Sequence, residues 1–113
     1  MPQACRLTLD IPPSANELFT SDHKLTPKYR AWRETAGWQL QTQPRAQFAG
    51  PFRIVLLLPE RMRGDTDNRL KAAQDLLTRH RVIPDDRFAK SSHAERSTDV
   101  PLGNCLLIVE AAP

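Results

Sequence analysis

Five charged residues in one short segment carry the chemistry this sequence offers. Asp65 and Asp67 stand two apart behind a glycine, Lys71 follows Asp67 by one helical turn, and Asp85-Asp86 close the segment. Carboxylates are hard oxygen donors, and magnesium needs few of them because it keeps several of its waters. Asp65 and Asp67 could converge on one ion if their turn folds both inward. Asp85 or Asp86 could join only if the strand that follows them pairs beside the strand that precedes Asp65. A metal held in this way next to a phosphodiester activates water and stabilises charge on the phosphoryl oxygens. In a chain with net charge +3, such a cluster points to a divalent cation beside a polyanion.

Each residue also has a plainer reading. Aspartate is a favoured helix N-cap, which alone would account for Asp67. Lys71 could be a helix-surface ion-pair partner, worth a few tenths of a kcal/mol. Asp85-Asp86 could be a solvated turn. It is their gathering in one segment that favours the metal. Other acidic motifs fit poorly. A calcium loop starting at Asp65 would need glycine and glutamate where Leu70 and Leu76 stand. A phosphatase-type aspartate loop would want a small or hydroxyl residue where Arg69 stands. His23, His80 and His93 lack zinc spacing, and neither a Walker loop nor a G-x-S-x-G elbow occurs.

The elements that must position these residues follow from patterning. Cys5, Leu7, Leu9 and Ile11 alternate with polar residues, a period-two strand ended by Pro12-Pro13. Residues 14–26 read as a loop. Thr26-Pro27 then resembles an N-cap followed by proline at the first helical position, opening a helix over 27–40. Its apolar stripe is Tyr29, Trp32, Ala36 and Leu40, with Lys28, Arg30 and Arg33 off the stripe, facing water or phosphate. Residues 41–50 connect to a buried strand over 52–58, which Pro59 closes. After the loop 60–64, a second helix spans 66–80 with Leu70, Ala73, Leu76 and Leu77 toward the core. A polar third strand is expected over 88–97, a turn over 98–103, and a last buried strand over 105–109. The first or the last strand is expected at a sheet edge. The order predicts an α/β (α+β) fold, a single small domain over 1–113 with a mixed sheet of about four strands and two helices packed on it.

Composition narrows the class. The 113 residues suffice for one compact domain, and a pI near 9.2 is compatible with nucleic acid. Aromatics at 6% argue against a stacking platform for single strands. Cys5 and Cys105 both lie in strands and read as buried thiols rather than a disulfide. No stretch is long enough to span a bilayer and no signal peptide is seen, so a cytoplasmic protein with no membrane partner is expected.

Asp65-Thr66-Asp67-Asn68-Arg69-Leu70-Lys71-Ala72-Ala73-Gln74-Asp75-Leu76-Leu77 resembles the D-x-D-N-x-x-K-A-x-x-D-x-L signature of RusA-type Holliday junction resolvases. Arg81-Val82-Ile83-Pro84-Asp85-Asp86 resembles that family's apolar segment ending in Asp-Asp, and Pro12-Pro13-Ser14-Ala15-Asn16 its P-P-S-x-N segment. The resemblance runs from Leu7 to about Arg87. It implies a magnesium-dependent homodimeric endonuclease, with manganese as a substitute, that cuts branched double-stranded DNA at four-way junctions. It makes Asp65, Asp67 and Asp86 the metal ligands and Lys71 the cation near the scissile phosphate. Ser14, Asn16, Arg61, Arg63 and Asn68 would lie close to the DNA backbone. Two departures stand out: Met62 and Gly64 interrupt the arginine run the family often carries, and Ala15 replaces a frequent asparagine. Two rival readings are a non-catalytic branched-DNA-binding protein of the same fold, and a metal-dependent phosphatase or nucleotide hydrolase. The dimer matches the near two-fold symmetry of a junction that needs two cuts. Tyr29, Trp32 and Trp38 supply more aromatic surface than one helix face needs.

Overall fold

Period-two alternation makes the first strand. β1 (Ala4–Asp10) buries Cys5, Leu7 and Leu9 and turns Arg6 and Thr8 to solvent. The computed structural model describes residues 4–62 and 66–112, with the backbone but not the side chains of Asp67 and Asp86. After Pro12-Pro13 the expected loop holds a 3-10 turn, Ala15–Glu17, and a single bridge between Phe19 and Leu25.

α1 (Pro27–Gln41) starts as its sequence dictates: Thr26 accepts the Tyr29 N–H at 3.1 Å, and Pro27 needs no partner for a missing N–H. Tyr29, Trp32, Ala36 and Leu40 are buried as expected, while Trp38 stays 67% exposed. The helix lies along β1, and side chains from it and from Gln43 just past its end satisfy the Thr8 and Asp10 part of the outer edge. Gln39 Oε1 accepts the Asp10 N–H at 2.8 Å and Gln43 Oε1 accepts the Thr8 N–H at 2.8 Å, while Trp32 Nε1 donates to the Asp10 carbonyl at 2.9 Å. Side chains thus take the place of a further strand, which protects an edge that would otherwise pair with other chains.

β2 (Phe52–Pro59), β3 (Ala89–Ser97) and β4 (Asn104–Ala111) complete a four-stranded sheet in the order β1-β4-β2-β3. β4 is antiparallel to both of its neighbours, and β3 is parallel to β2. The first strand is therefore at an edge, but the last is interior, because it pairs on both sides. Leu7, Leu9, Ile54, Leu56, Leu58, Leu107 and Val109 line the buried face under the helices. Fully burying each such side chain contributes roughly 1.5–3 kcal/mol. The fold is a single α+β domain with both helices on one face of a mixed sheet.

The second helix is shorter than its pattern. A 3-10 turn, Asp67–Arg69, comes first, and α2 (Leu70–Arg79) follows with Arg69 at its N-cap and no side-chain cap. The Arg69 N–H bonds the Thr66 carbonyl at 3.2 Å, the tighter i to i+3 closure common at helix starts. Ala72, Ala73, Leu76 and Leu77 are buried, and Leu70 is half-buried. At the far end Arg81 adopts φ 61°, and the N–H groups of Arg81 and Val82 close onto the carbonyls of Thr78 and Leu77. That is a Schellman closure, which glycine usually serves. Cys5 and Cys105 are free and buried, and burial pushes the Cys105 thiol up to about 12. Among the described residues no helix is long and apolar enough to cross a membrane.

Candidate active site

Strand direction decides which predicted residues meet. β1 and β2 both run antiparallel to β4, so they finish at the same end of the sheet: Leu9 pairs Cys105 and Leu57 pairs Leu106. The segment leaving β1 and the segment entering α2 meet there. Arg69 Nη1 donates to the Pro12 carbonyl at 2.7 Å, and the turn Ala15–Glu17 packs against both the turn Asp67–Arg69 and α2. Ser14, half-buried, and Asn16, exposed, thus lie beside the backbone of Asp67 and the half-buried Asn68. The P-P-S-x-N segment and the Asp67–Arg69 turn, about fifty residues apart in sequence, thus come together.

The Ser14 turn is held from behind. The Ser14 hydroxyl donates to Glu17 Oε1 at 3.0 Å, and Lys28 on α1 pairs with the other carboxylate oxygen. Lys28 first, and Ser14 second, hold the Glu17 carboxyl at about 2, well below the usual range. Ser14-Ala15-Asn16-Glu17 carries the S-x-x-E spacing of a helix-start box, so the sequence held a signal for this turn that the loop reading passed over. Arg69 had no such signal. Its tie to Pro12 exists only in three dimensions, and its Nε atom is buried with no hydrogen-bond partner among the described residues.

Lys71 is exposed on the first turn of α2, with Nζ 3.6 Å from Asp75 Oδ1. An exposed pair at this spacing is weak, so the ammonium can be shared with a phosphate. Arg61 is exposed after β2. Arg63 and Asp65 lie outside the described residues, as do the side chains of Asp67 and Asp86. Among the described residues no three His, Cys, Asp or Glu side chains gather as metal ligands would.

Asp85 Oδ1 accepts the Arg87 N–H at 3.0 Å, so this carboxylate caps the 3-10 turn Asp86–Phe88. The condition for joining the first acids was that the third strand pair beside the second, and β3 does so, in parallel. Parallel pairing sets Ala89 opposite Phe52, so the backbone of Asp86 stands at the end where β2 begins. The Phe48 N–H bonds the Val82 carbonyl at 2.8 Å, anchoring the return from α2 at that same end. Asp67 lies beyond the end where β2 stops. Within one chain the two backbones stand at opposite ends of α2, whose ten residues span about 15 Å.

Comparison with individual curated proteins finds no match. The family model described as Endodeoxyribonuclease RusA matches residues 10–101, which takes in the Ser14 turn, the Asp67–Arg69 turn, α2 and β3. With most of its length matched, the chain belongs to the RusA endodeoxyribonuclease family.

Proposed function

We propose that this protein is a magnesium-dependent endonuclease of the cytoplasm that resolves four-way Holliday junctions in recombination and repair, making paired phosphodiester cuts as a homodimer. The observation that carries this reading is the joining of the Ser14 turn to the Asp67–Arg69 turn at one end of the parallel strands. That juxtaposition lies inside the family match. It supports reading the two turns as one surface for phosphate and metal.

Asp65, Asp67 and Asp86 are the carboxylates we assign to the metal. An all-oxygen donor set suits magnesium, and manganese as its substitute. Bound there, the ion supplies water activation and neutralisation of phosphoryl charge. The remaining work belongs to the chain. Lys71 neutralises charge that develops on the phosphate during attack. Ser14, Asn16, Arg61, Arg63 and Asn68 hold the sugar-phosphate backbone and fix its register, reading junction shape rather than base edges. The separation of Asp67 and Asp86 along α2 favours a dimer in which a second copy brings its Asp86 to the first copy's Asp65 and Asp67. Such a C2 pair also presents two equivalent sites to a substrate of near two-fold symmetry.

The test is a cleavage assay on a synthetic four-way junction with and without magnesium, using wild type and Asp67→Asn. Wild type should cut only with the metal, and the variant should bind the junction without cutting it. Binding without cutting by the wild type would leave a branched-DNA-binding protein. Hydrolysis of small phosphate esters with the junction left intact would leave a phosphatase. Normal cutting by Asp67→Asn would remove Asp67 from the site.

A further inference from the structure

Two shallow cavities, of about 510 and 450 Å³, lie side by side between α1 and α2 and share Leu25, Arg33 and Arg79. Together they form one groove on the outer face of the helical layer. Arg30 and Arg33 come from α1 and Arg79 from the last turn of α2, so residues distant in sequence bring three guanidiniums to one concave surface. Among the described residues none of the three makes an ion pair. Two acids also line it, Asp75, which lies 3.6 Å from Lys71, and Glu34, and among the described residues neither comes within salt-bridge distance of the three arginines. Arg33 is held by stacking, its guanidinium 5.5 Å from the centre of the Tyr29 ring. His80, also on this groove, has its imidazole pushed down by burial first and then by the nearby charges of Arg79, Arg45 and Arg33.

The groove continues from the candidate site. Lys71, Asp75 and Arg79 follow at intervals of four on α2 and share one face. Lys71 and Arg79 are eight residues apart, about 12 Å along the helix. At 3.4 Å of rise per base pair that is roughly three to four base pairs of duplex. We propose that the groove between α1 and α2 is a second DNA-contact surface, in which Arg30, Arg33 and Arg79 bind the backbone of a duplex arm about three to four phosphates from the scissile one. The partner is the sugar-phosphate chain of double-stranded DNA, held by charge and without base readout. Trp38, at the rim and 67% exposed, is covered when the arm is seated. This inference rests on the endonuclease reading and extends its substrate footprint.

The experiment measures junction binding by the full-length protein with calcium in place of magnesium, over 50–200 mM salt. The proteins are wild type, Arg79→Gln, and the triple variant Arg30→Gln, Arg33→Gln, Arg79→Gln, with circular dichroism confirming the fold. Each lost phosphate contact should lower the slope of log K against log salt by about 0.9, hence by about 2.7 in the triple variant, with affinity at 100 mM salt down at least about tenfold. Methylphosphonates at the third and fourth phosphates from the cut should weaken wild type in the same way and add nothing to the triple variant. Acrylamide quenching, which reports Trp38 because Trp32 is only 7% exposed, should fall when the junction binds. If wild type cuts the junction with magnesium yet the slopes are equal, or Trp38 stays as quenchable as before, the groove is not a DNA surface and the endonuclease reading stands. If wild type neither binds nor cuts, both are overturned.

Discussion

Mixing two inactive variants tests how the site is assembled. A ligand oxygen must come to about 2.1 Å from magnesium, and an aspartate carries its carboxylate only a few ångström from its own backbone. The backbones of Asp67 and Asp86 stand at opposite ends of α2, a helix of ten residues spanning about 15 Å. One chain therefore cannot bring both to one ion without dismantling the β2–α2–β3 crossover. Asp67→Asn and Asp86→Asn should each abolish cleavage as homodimers. After subunit exchange at equal concentrations, half of the dimers should be mixed, and each mixed dimer carries one intact and one doubly substituted site. About one quarter of the wild-type sites return, and a C2 dimer with a single intact site yields nicked junctions rather than paired cuts. The assay is denaturing electrophoresis of an end-labelled junction, with native mass spectrometry confirming exchange. A mixture as inactive as its parents, with mixed dimers demonstrably present, would refute the shared site.

Three further outcomes follow from the geometry. Lys71→Ala should lower the cleavage rate by roughly 10²-fold or more while junction affinity changes far less, the scale of losing one preorganised electrostatic donor; single-turnover rates and binding isotherms check this, and normal cutting would return Lys71 to its pairing with Asp75. Arg81→Gly should stabilise the fold by up to about 1 kcal/mol in urea denaturation, because the roughly 1–2 kcal/mol that a non-glycine residue meets in the left-handed region, here at φ 61°, outweighs the larger backbone entropy that glycine loses on folding. Cys105 should resist alkylation in the native state, and its contribution to stability should be complete below pH 9, then fall as pH rises toward its raised value of about 12; urea midpoints at pH 7, 9 and 10.5 should show that decline, and Cys105→Ala should flatten it.

Local chemistry was enough to read most elements. The alternation around Leu7 and Leu9, the Thr26-Pro27 start of α1, and the apolar run from Ile54 to Leu58 each depend on residues close in sequence, and each was found within a residue or two. α2 is shorter than its periodicity predicts because the 3-10 closure at Asp67–Arg69 is a choice between i+3 and i+4 bonding that hydrophobic periodicity does not register. The Ser14 turn was legible in its S-x-x-E spacing, but its tie to α1 through Lys28 was not.

By itself, the sequence determined the inventory: the acids, the lysine one turn on, the family to which those spacings belong, and the α+β class. Tertiary structure alone decided the neighbours. β4 lies between β1 and β2, paired antiparallel along both of its edges, and that places the Ser14 turn and the Asp67–Arg69 turn at one end. β3 pairs with β2 in parallel, and that sends Asp86 to the other end. Arg69 reaches Pro12 across fifty-seven positions of sequence. Spacing along a chain constrains distance only over the few residues that share a turn or a strand. Beyond that, which ends coincide depends on strand order and direction, and these are fixed by which apolar faces pack together to leave water.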